Sequence, residues 1–354
     1  MVHGEKIQCK DTPRSSFQML NVRQSIKSHT PRYTDHFPYL DFPCDYQDFL
    51  DKKDIINWME HYEKAMYLKI ELGVNVSKVD YDESSQKYTA VLKSPGGNER
   101  VVTVRHVVLA TGLFSSEPLR PDFENESDFA GEIYHSIDHR SARQIPNLSE
   151  KKVAIIGAGT SAFDIAQDFV NCGVKEVTII QRSPMFVLSL AAQDRFVLAG
   201  WQMMPTKDAD LVGNSFPLPI ALKLIVGATQ AMAKFDAELL SGLENAGLAV
   251  KRGEDGIGLL HHQLLKAGHF YIDQGAGQMI VDGKIKIKRC QEGVKRLDEK
   301  VVILGDGTRI EADVVVVATG FKPCADMAEK IMGTDFIAKV GKVGNWMTKK
   351  KESR

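Results

Sequence analysis

Read for period alone, the chain starts without one: residues 1–31 are polar and irregular. An aromatic, proline-rich stretch at 33–49 predicts an ordered loop. Over residues 53–72, Ile56, Trp58, Met59, Tyr62, Ala65 and Met66 fall at helical spacing, which predicts an amphipathic helix. The strings GVNVSKVDYD and YTAVLKS alternate, as does the one after PGGN, so a meander with a tight turn follows. VRHVVLATG predicts a buried strand ending at Gly112, after which Pro118 and Pro121 mark a crossing to another region. Residues 152–182 give strand, glycine-rich turn, helix and strand. Helical spacing dominates 190–265, and strands return at GKIKI, KRLDE, KVVILGDGTRI and ADVVVVATGF. The most apolar stretch, 216–233, is interrupted by Lys223. It is too short and mixed to span a bilayer and predicts a buried amphipathic helix. VVLATG at 107–112 and VVVATG at 315–320 are near copies.

Composition narrows the classes this pattern permits. With 354 residues there is length for two cores, and 43% hydrophobic with 26% charged residues is ordinary for a globular protein. A net charge of −1 offers nothing to a polyanion, which excludes nucleic acid as a partner class. Five cysteines, Cys9, Cys44, Cys172, Cys290 and Cys324, stand far apart without a CxxC pair. That argues against a disulfide framework and a metal site, and for a reducing, cytoplasmic compartment. No signal peptide is visible in residues 1–16.

The chemistry is concentrated in KKVAIIGAGTSAFDIAQDFVNCGVKEVTIIQRS. Gly157 permits a tight turn after the apolar strand. Gly159 lets a pyrophosphate approach the backbone, and Ala162 allows close helix–strand packing. Ala158, Thr160 and Ser161 complete the turn, and the helix that starts there points its amides at the phosphates. Where an NAD site places an acid for the ribose hydroxyls, this chain has Gln181, Arg182 and Ser183. A neutral residue followed by a cation suits the 2′-phosphate of NADPH.

Between residues 129 and 139 lies FAGEIYHSIDH. Together with GAGTSA, YIDQGAGQMIVDGKIKI and the paired ATG strings, it resembles the flavin-containing monooxygenases, with their FxGxxxHxxx pattern closed by Tyr or Phe. Phe129, Gly131 and His135 match. His139 stands at the aromatic position, and it is not the Trp of Baeyer–Villiger relatives either. The likeness covers residues 20–335 and is strongest to fungal and plant-type members, the N- and S-oxygenating or indole-pyruvate-oxidising branch.

The resemblance implies an α/β fold with two dinucleotide-binding Rossmann-like domains, the NADPH domain inserted in an FAD domain. The FAD domain is incomplete here, because no strand–GxGxxG–helix precedes residue 107 and the closing C-terminal segment is not recognisable. We therefore expect an irregular segment at 1–30, an FAD-domain remnant at 31–117, an NADPH domain at 118–312, and a return to the FAD domain at 313–354. A fragment, a mispredicted gene product and a natural remnant all remain open. Implied cofactors are FAD and NADPH. Implied partners are O2 and a small amine, sulfide or 2-oxo acid, with no membrane span and a homodimer compatible. The implied activity is insertion of one oxygen atom through a C4a-hydroperoxyflavin; the alternative is a silent NADP(H)-binding remnant. A disulfide reductase would need the CxxC pair the chain lacks. Because the flavin carries the hard chemistry in that family, the resemblance implies no side-chain nucleophile or general-base triad, and the absence of GxSxG and HExxH agrees. By the same resemblance Phe129, Gly131 and His135 organise the fold near the NADPH entrance, Thr111, Gly112 and the backbone around Val76 lie against FAD, and Thr319 and Gly320 belong to the return strand.

Overall fold

The computed structural model describes residues 27–112, 114–265 and 268–340. Most of the irregular segment expected at 1–30, and the tail from 341 onward, lie outside them. After α1 (Arg32–Asp35) comes α2 (Lys52–Ala65), whose one buried side chain is Trp58. The helix stops seven residues before the hydrophobic spacing does. Tyr67 takes a left-handed φ of 52°, and the Leu68 N–H turns back to the Glu63 carbonyl at 3.0 Å, closing the end.

The meander forms as the alternation predicts: β1 (Asn75–Asp82), β2 (Lys87–Lys93) and β3 (Glu99–Val104) pair antiparallel in that order. The next expected strand does not form. Residues 107–112 carry no strand and, apart from Val107, are exposed, with Val108 85% accessible. A strand needs a neighbour for its N–H and C=O groups, and nothing among the described residues runs beside this one. The chain then enters β4 (Phe114–Pro118).

A second compact unit follows, made of residues 118–320 together with the stretch that ends at 54. Its centre is a five-stranded parallel sheet: β5 (Glu132–His135), β6 (Lys152–Ile156), β7 (Glu176–Gln181), β11 (Lys286–Arg289) and β15 (Val314–Val317), in the order β11-β7-β6-β15-β5. The near-continuous apolar runs of β6, β7 and β15 suit strands covered on both faces. Helix α3 (Thr160–Asn171) crosses from β6 to β7 and buries Ala162, Phe163, Ile165, Ala166 and Phe169 on one face of the sheet. A small antiparallel sheet of β12 (Val294–Asp298), β13 (Val301–Leu304) and β14 (Arg309–Glu311) adds Leu297, Val302 and Leu304 to the core on the other face.

Beside this lies a shorter parallel sheet, β8 (Met185–Ser189), β9 (Val250–Lys251) and β10 (Phe270–Asp273), ordered β10-β8-β9. Helices α4 (Leu190–Phe196), α5 (Ala199–Met203), α6 (Thr206–Gly213), α7 (Leu218–Phe235), α8 (Ala237–Asn245), α9 (Leu259–Leu265) and α10 (Ala276–Val281) belong to the same unit. Contrary to expectation, α7 is not buried: only Leu222, Thr229 and Met232 are. The loop at 33–49 leans on this helical region, with the Thr206 hydroxyl donating to the Tyr33 carbonyl at 2.9 Å.

The chain then returns to the first unit through β16 (Phe321–Pro323), which pairs with β4, and α11 (Cys324–Met332) and α12 (Thr334–Val340). In that unit Ile331 packs with Val79 and Ala90 of the meander. The chain thus leaves the first unit at 117 and re-enters it at 321. Residues 314–320 stay with the inserted unit instead of returning at 313, because β15 is a central strand of the parallel sheet, hydrogen-bonded to β6 and β5. Residues 31–54 also go with it.

Candidate functional site

The site is built at the carboxyl end of β6, where a parallel sheet leaves a crevice for a ligand. Gly157 has φ 113°, and its N–H donates to the Ile180 carbonyl at 3.0 Å. A Cβ at Gly157 would stand 2.4 Å from the carbonyl oxygen of Ala318, so this position admits glycine alone. Gly159 is the opposite case: a Cβ there would meet nothing within 4 Å. The first glycine makes room for the fold and the second leaves room for a ligand. Behind it, Ala162 is fully buried and α3 begins, which puts the positive end of the helix dipole at this turn. Ala158 packs against the core, and Ser161 is half-buried in the first turn.

Replacing Gly159 with alanine should therefore leave the fold within about 1 kcal/mol of the parent, the usual scale of a helix-cap change. NADPH affinity should fall at least about tenfold, because the methyl occupies the space of the pyrophosphate. Thermal unfolding and fluorescence titration with NADPH read the two effects separately.

Two expected contacts fall differently. The Thr160 hydroxyl donates to the Phe270 carbonyl at 2.9 Å, so its proton joins α3 to β10 and not to a phosphate. Gln181 is fully buried, and both ends of its amide are spent on one residue. Its Nε2 donates to the Ala249 carbonyl at 2.9 Å, and its Oε1 accepts from the Ala249 N–H at 2.7 Å. Gln181 fastens the end of β7 to the residue that leads into β9 and does not face a ribose. Arg182, next in the chain, is exposed at the strand end, and no carboxylate among the described residues pairs with it. Ser183 is half-buried beside it.

The structure brings the other motifs to the same turn. The Ala318 carbonyl that closes on Gly157 belongs to the second ATG string, which is why small residues are needed there. Thr319 donates through its hydroxyl to the Leu119 carbonyl, and the Gly320 carbonyl accepts from the Leu119 N–H at 2.9 Å. That same Gly320 carbonyl lies 3.1 Å from Nε2 of His135, while Nδ1 of His135 accepts from the Ile137 N–H at 3.2 Å. The network assigns the proton to Nε2. Burial pushes the pKa of His135 down, so the ring stays neutral and donates. Phe129 is buried in the core, and a Cβ on Gly131 would stand 2.3 Å from the Asp313 carbonyl oxygen. The FxGxxxH residues thus clamp β5 to β15 and hold Gly320.

His139, where the pattern has an aromatic, is buried. Its Nε2 lies 3.0 Å from Asp168 of α3 and its Nδ1 3.0 Å from the Tyr134 hydroxyl. Burial raises the Tyr134 phenol pKa, so it remains a donor to Nδ1. Asp168 also accepts from the Ala142 N–H at 2.7 Å. Sequence reasoning passed over Asp168, although an acid on the apolar face of α3 was a signal that it had a partner.

The residues around Gly159 thus fit a nicotinamide dinucleotide. The positions expected against FAD belong to the other unit. Thr111 and Gly112 are exposed in the strandless stretch, and Val76 pairs with Leu92 beside a β-bulge. Among the described residues of that unit no strand, glycine-rich turn and helix is built, so they provide no pyrophosphate cradle for FAD. Nor do they contain a cluster of metal-binding side chains.

Comparison with known proteins agrees with this arrangement. The chain is 26% identical over 321 residues to the probable indole-3-pyruvate monooxygenase YUCCA8 of Arabidopsis thaliana, covering 89% of this chain and 68% of that protein. Among solved structures it superposes on the NADP+-bound cyclohexanone monooxygenase of Rhodococcus sp. Phi1 with a TM-score of 0.60 at 16% identity, covering 88% of this chain and 65% of that one. It also superposes on a variant of the flavin monooxygenase of Stenotrophomonas maltophilia, TM-score 0.54 at 16% identity, covering 86% and 67%. The chain spans about two thirds of the length of each. The family model described as pyridine nucleotide-disulphide oxidoreductase matches residues 22–204, just over half of the sequence. The chain belongs to that family and, within it, to the flavin-containing monooxygenases, whose cofactors are FAD and NADPH.

Proposed function

We propose that the chain binds NADPH at the 157–162 turn and serves a flavin-dependent monooxygenase reaction on a small organic substrate. In the overall reaction one atom of O2 enters the substrate and the other leaves as water, with NADPH and a proton supplying the reducing equivalents. The substrate classes are an amine, a sulfide or a 2-oxo acid, and the last is the class printed in the name of the plant relative. The observation that carries the reading is the open space over Gly159 in front of the α3 N-terminus.

When bound, NADPH supplies a hydride. The chain's own residues set its position. The N-terminal end of α3, with its positive dipole, meets the pyrophosphate over Gly159, and the Arg182 guanidinium meets the 2′-phosphate. Gln181 fixes the strand end from which Arg182 projects, through its two hydrogen bonds to Ala249. Through Gly320, His135 keeps the Ala318 carbonyl closed on Gly157.

Replacing Arg182 with alanine should lower the preference for NADPH over NADH about tenfold, the worth of one exposed charge-assisted contact. NADH affinity should stay as it was, and the effect should shrink as salt is added. Equal losses for the two dinucleotides would remove Arg182 from the 2′-phosphate.

A second reading, an NADP(H)-binding chain without monooxygenase turnover, is favoured by the exposed, strandless residues 107–112. The visible spectrum of the purified chain after incubation with FAD and desalting separates the two. A retained flavin band that bleaches on addition of NADPH supports the monooxygenase. Bound NADPH without retained flavin supports the second reading.

A further inference from the structure

Helix α7 is the part of the inserted unit whose sequence and burial disagree most. By length and composition it is apolar enough to cross a membrane, yet most of it is not covered by protein. Ile220 and Leu224 are exposed and one turn apart, so they share one stripe of the helix, and Phe216, two residues before it starts, is exposed as well. Leu211 and Val212 at the end of α6 and Met203 at the end of α5, which precede it in the chain, are exposed too, Leu211 at 73% and Met203 at 82% accessibility. Scattered exposed apolar residues need no explanation, but a concentration of this kind marks an interaction site.

The charge pattern selects the partner. From residue 211 to 235 there is no Asp or Glu, in a chain whose 45 basic and 46 acidic residues otherwise balance. The stretch does hold Lys223 and Lys234, both exposed along one border of the stripe, and Lys207 is exposed on α6. The acids that flank the stretch are both engaged: Asp210 on α6 accepts from the Trp201 indole at 2.9 Å, and Asp236, next after Phe235, accepts from the Ser189 N–H and hydroxyl, each at 2.7 Å; Asp208 on α6 and Glu238 on α8 are exposed beyond them. An apolar stripe bordered by lysines matches a bilayer surface with anionic headgroups. The side chains enter the headgroup–acyl boundary and the ammonium groups reach the phosphates.

The helix lies on such a surface and does not span it, because its other face is built into the fold. Leu222 and Met232 are buried. The Thr229 hydroxyl donates to the Ile225 carbonyl at 2.6 Å and accepts from the Leu259 N–H at 2.9 Å. Gly258 closes on the Ile225 carbonyl, where a Cβ would stand 2.9 Å away. Pulling α7 into a bilayer core would break these contacts.

We propose that the face formed by Leu211, Val212, Phe216, Ile220 and Leu224 docks on a membrane surface carrying anionic lipid. The test is co-sedimentation of the full chain with phosphatidylcholine vesicles, with and without phosphatidylserine. The chain should pellet with the anionic vesicles and be released by salt. The double variant Ile220→Glu/Leu224→Glu should bind at least about tenfold more weakly, and Lys223→Ala about fivefold. Both should keep the parent's NADPH affinity, which reports that the unit is folded. Failure of the parent to pellet with either vesicle overturns the proposal, as does a double variant that pellets like the parent. A dimer in analytical ultracentrifugation that the double variant dissociates, with no vesicle binding by the parent, assigns the face to a second copy and likewise overturns it.

Discussion

Replacing Gly157 with alanine is expected to abolish NADPH binding and to destabilise the inserted unit by about 2–6 kcal/mol. Two independent costs add. The backbone at φ 113° lies where a residue with a Cβ is strained, on the order of 1–3 kcal/mol. The methyl would also stand 2.4 Å from the Ala318 carbonyl oxygen, and relieving that overlap costs about 1–3 kcal/mol more. The neighbour cannot swing aside as a side chain would. Ala318 is backbone next to β15, and its own N–H donates to the Ile156 carbonyl at 2.8 Å. Against a total stability of about 5–15 kcal/mol for a typical domain, the change is large. A urea titration gives the stability and a fluorescence titration the NADPH affinity. Gly157→Ala should move both, whereas Gly159→Ala should move the second alone. A Gly157→Ala chain with the parent's urea midpoint would show that the carbonyl gives way, and that the glycine is not required for folding.

The pair separates what the sequence carried from what it did not. The dinucleotide turn was legible because it is local: strand, glycines and helix are consecutive, and each residue type has a reason within a few positions. The ATG strings were not legible in the same way. VVLATG and VVVATG differ at one residue, yet the second is a buried strand between β5 and β6 while the first has no strand at all. A strand is completed by partners distant in sequence, and identical words meet different neighbours. For the same reason Thr319 and Gly320 stay with the inserted unit, next to the Ala318 carbonyl that closes on Gly157, instead of with the returning chain. Gln181 misled in a related way. Its position after a second strand marks a ribose contact, but its amide is used up by Ala249, a residue with no local signature. Helix α7 was read as buried because apolar composition does not reveal whether a partner is present. The extra polar network on α3 was half legible, since His139 departs from the family pattern and Asp168 breaks an apolar face.

That network gives the other large expected effect. Asp168→Ala should destabilise the inserted unit by about 3–5 kcal/mol, the scale seen when one partner of a buried, hydrogen-bonded pair is removed. The carboxylate takes the His139 ring N–H at 3.0 Å and the Ala142 N–H at 2.7 Å, and both donors are buried. Alanine leaves them without that acceptor, in a place where water does not replace it. Because Asp168 stands on α3, loosening it also moves the helix whose N-terminus is the proposed pyrophosphate site, so a smaller loss of NADPH affinity should accompany the loss of stability. His139→Phe alone, which restores an aromatic at the family position, should also cost stability, because it leaves the carboxylate buried without its ring partner. The double change His139→Phe/Asp168→Leu should recover much of what either loses, since replacing both members of a buried pair with apolar groups is often neutral. Urea midpoints for the parent, the two singles His139→Phe and Asp168→Leu, and the double close the cycle. Strictly additive losses would mean that His139 and Asp168 do not act as a pair. An Asp168→Ala chain as stable as the parent would mean that the buried carboxylate holds nothing together.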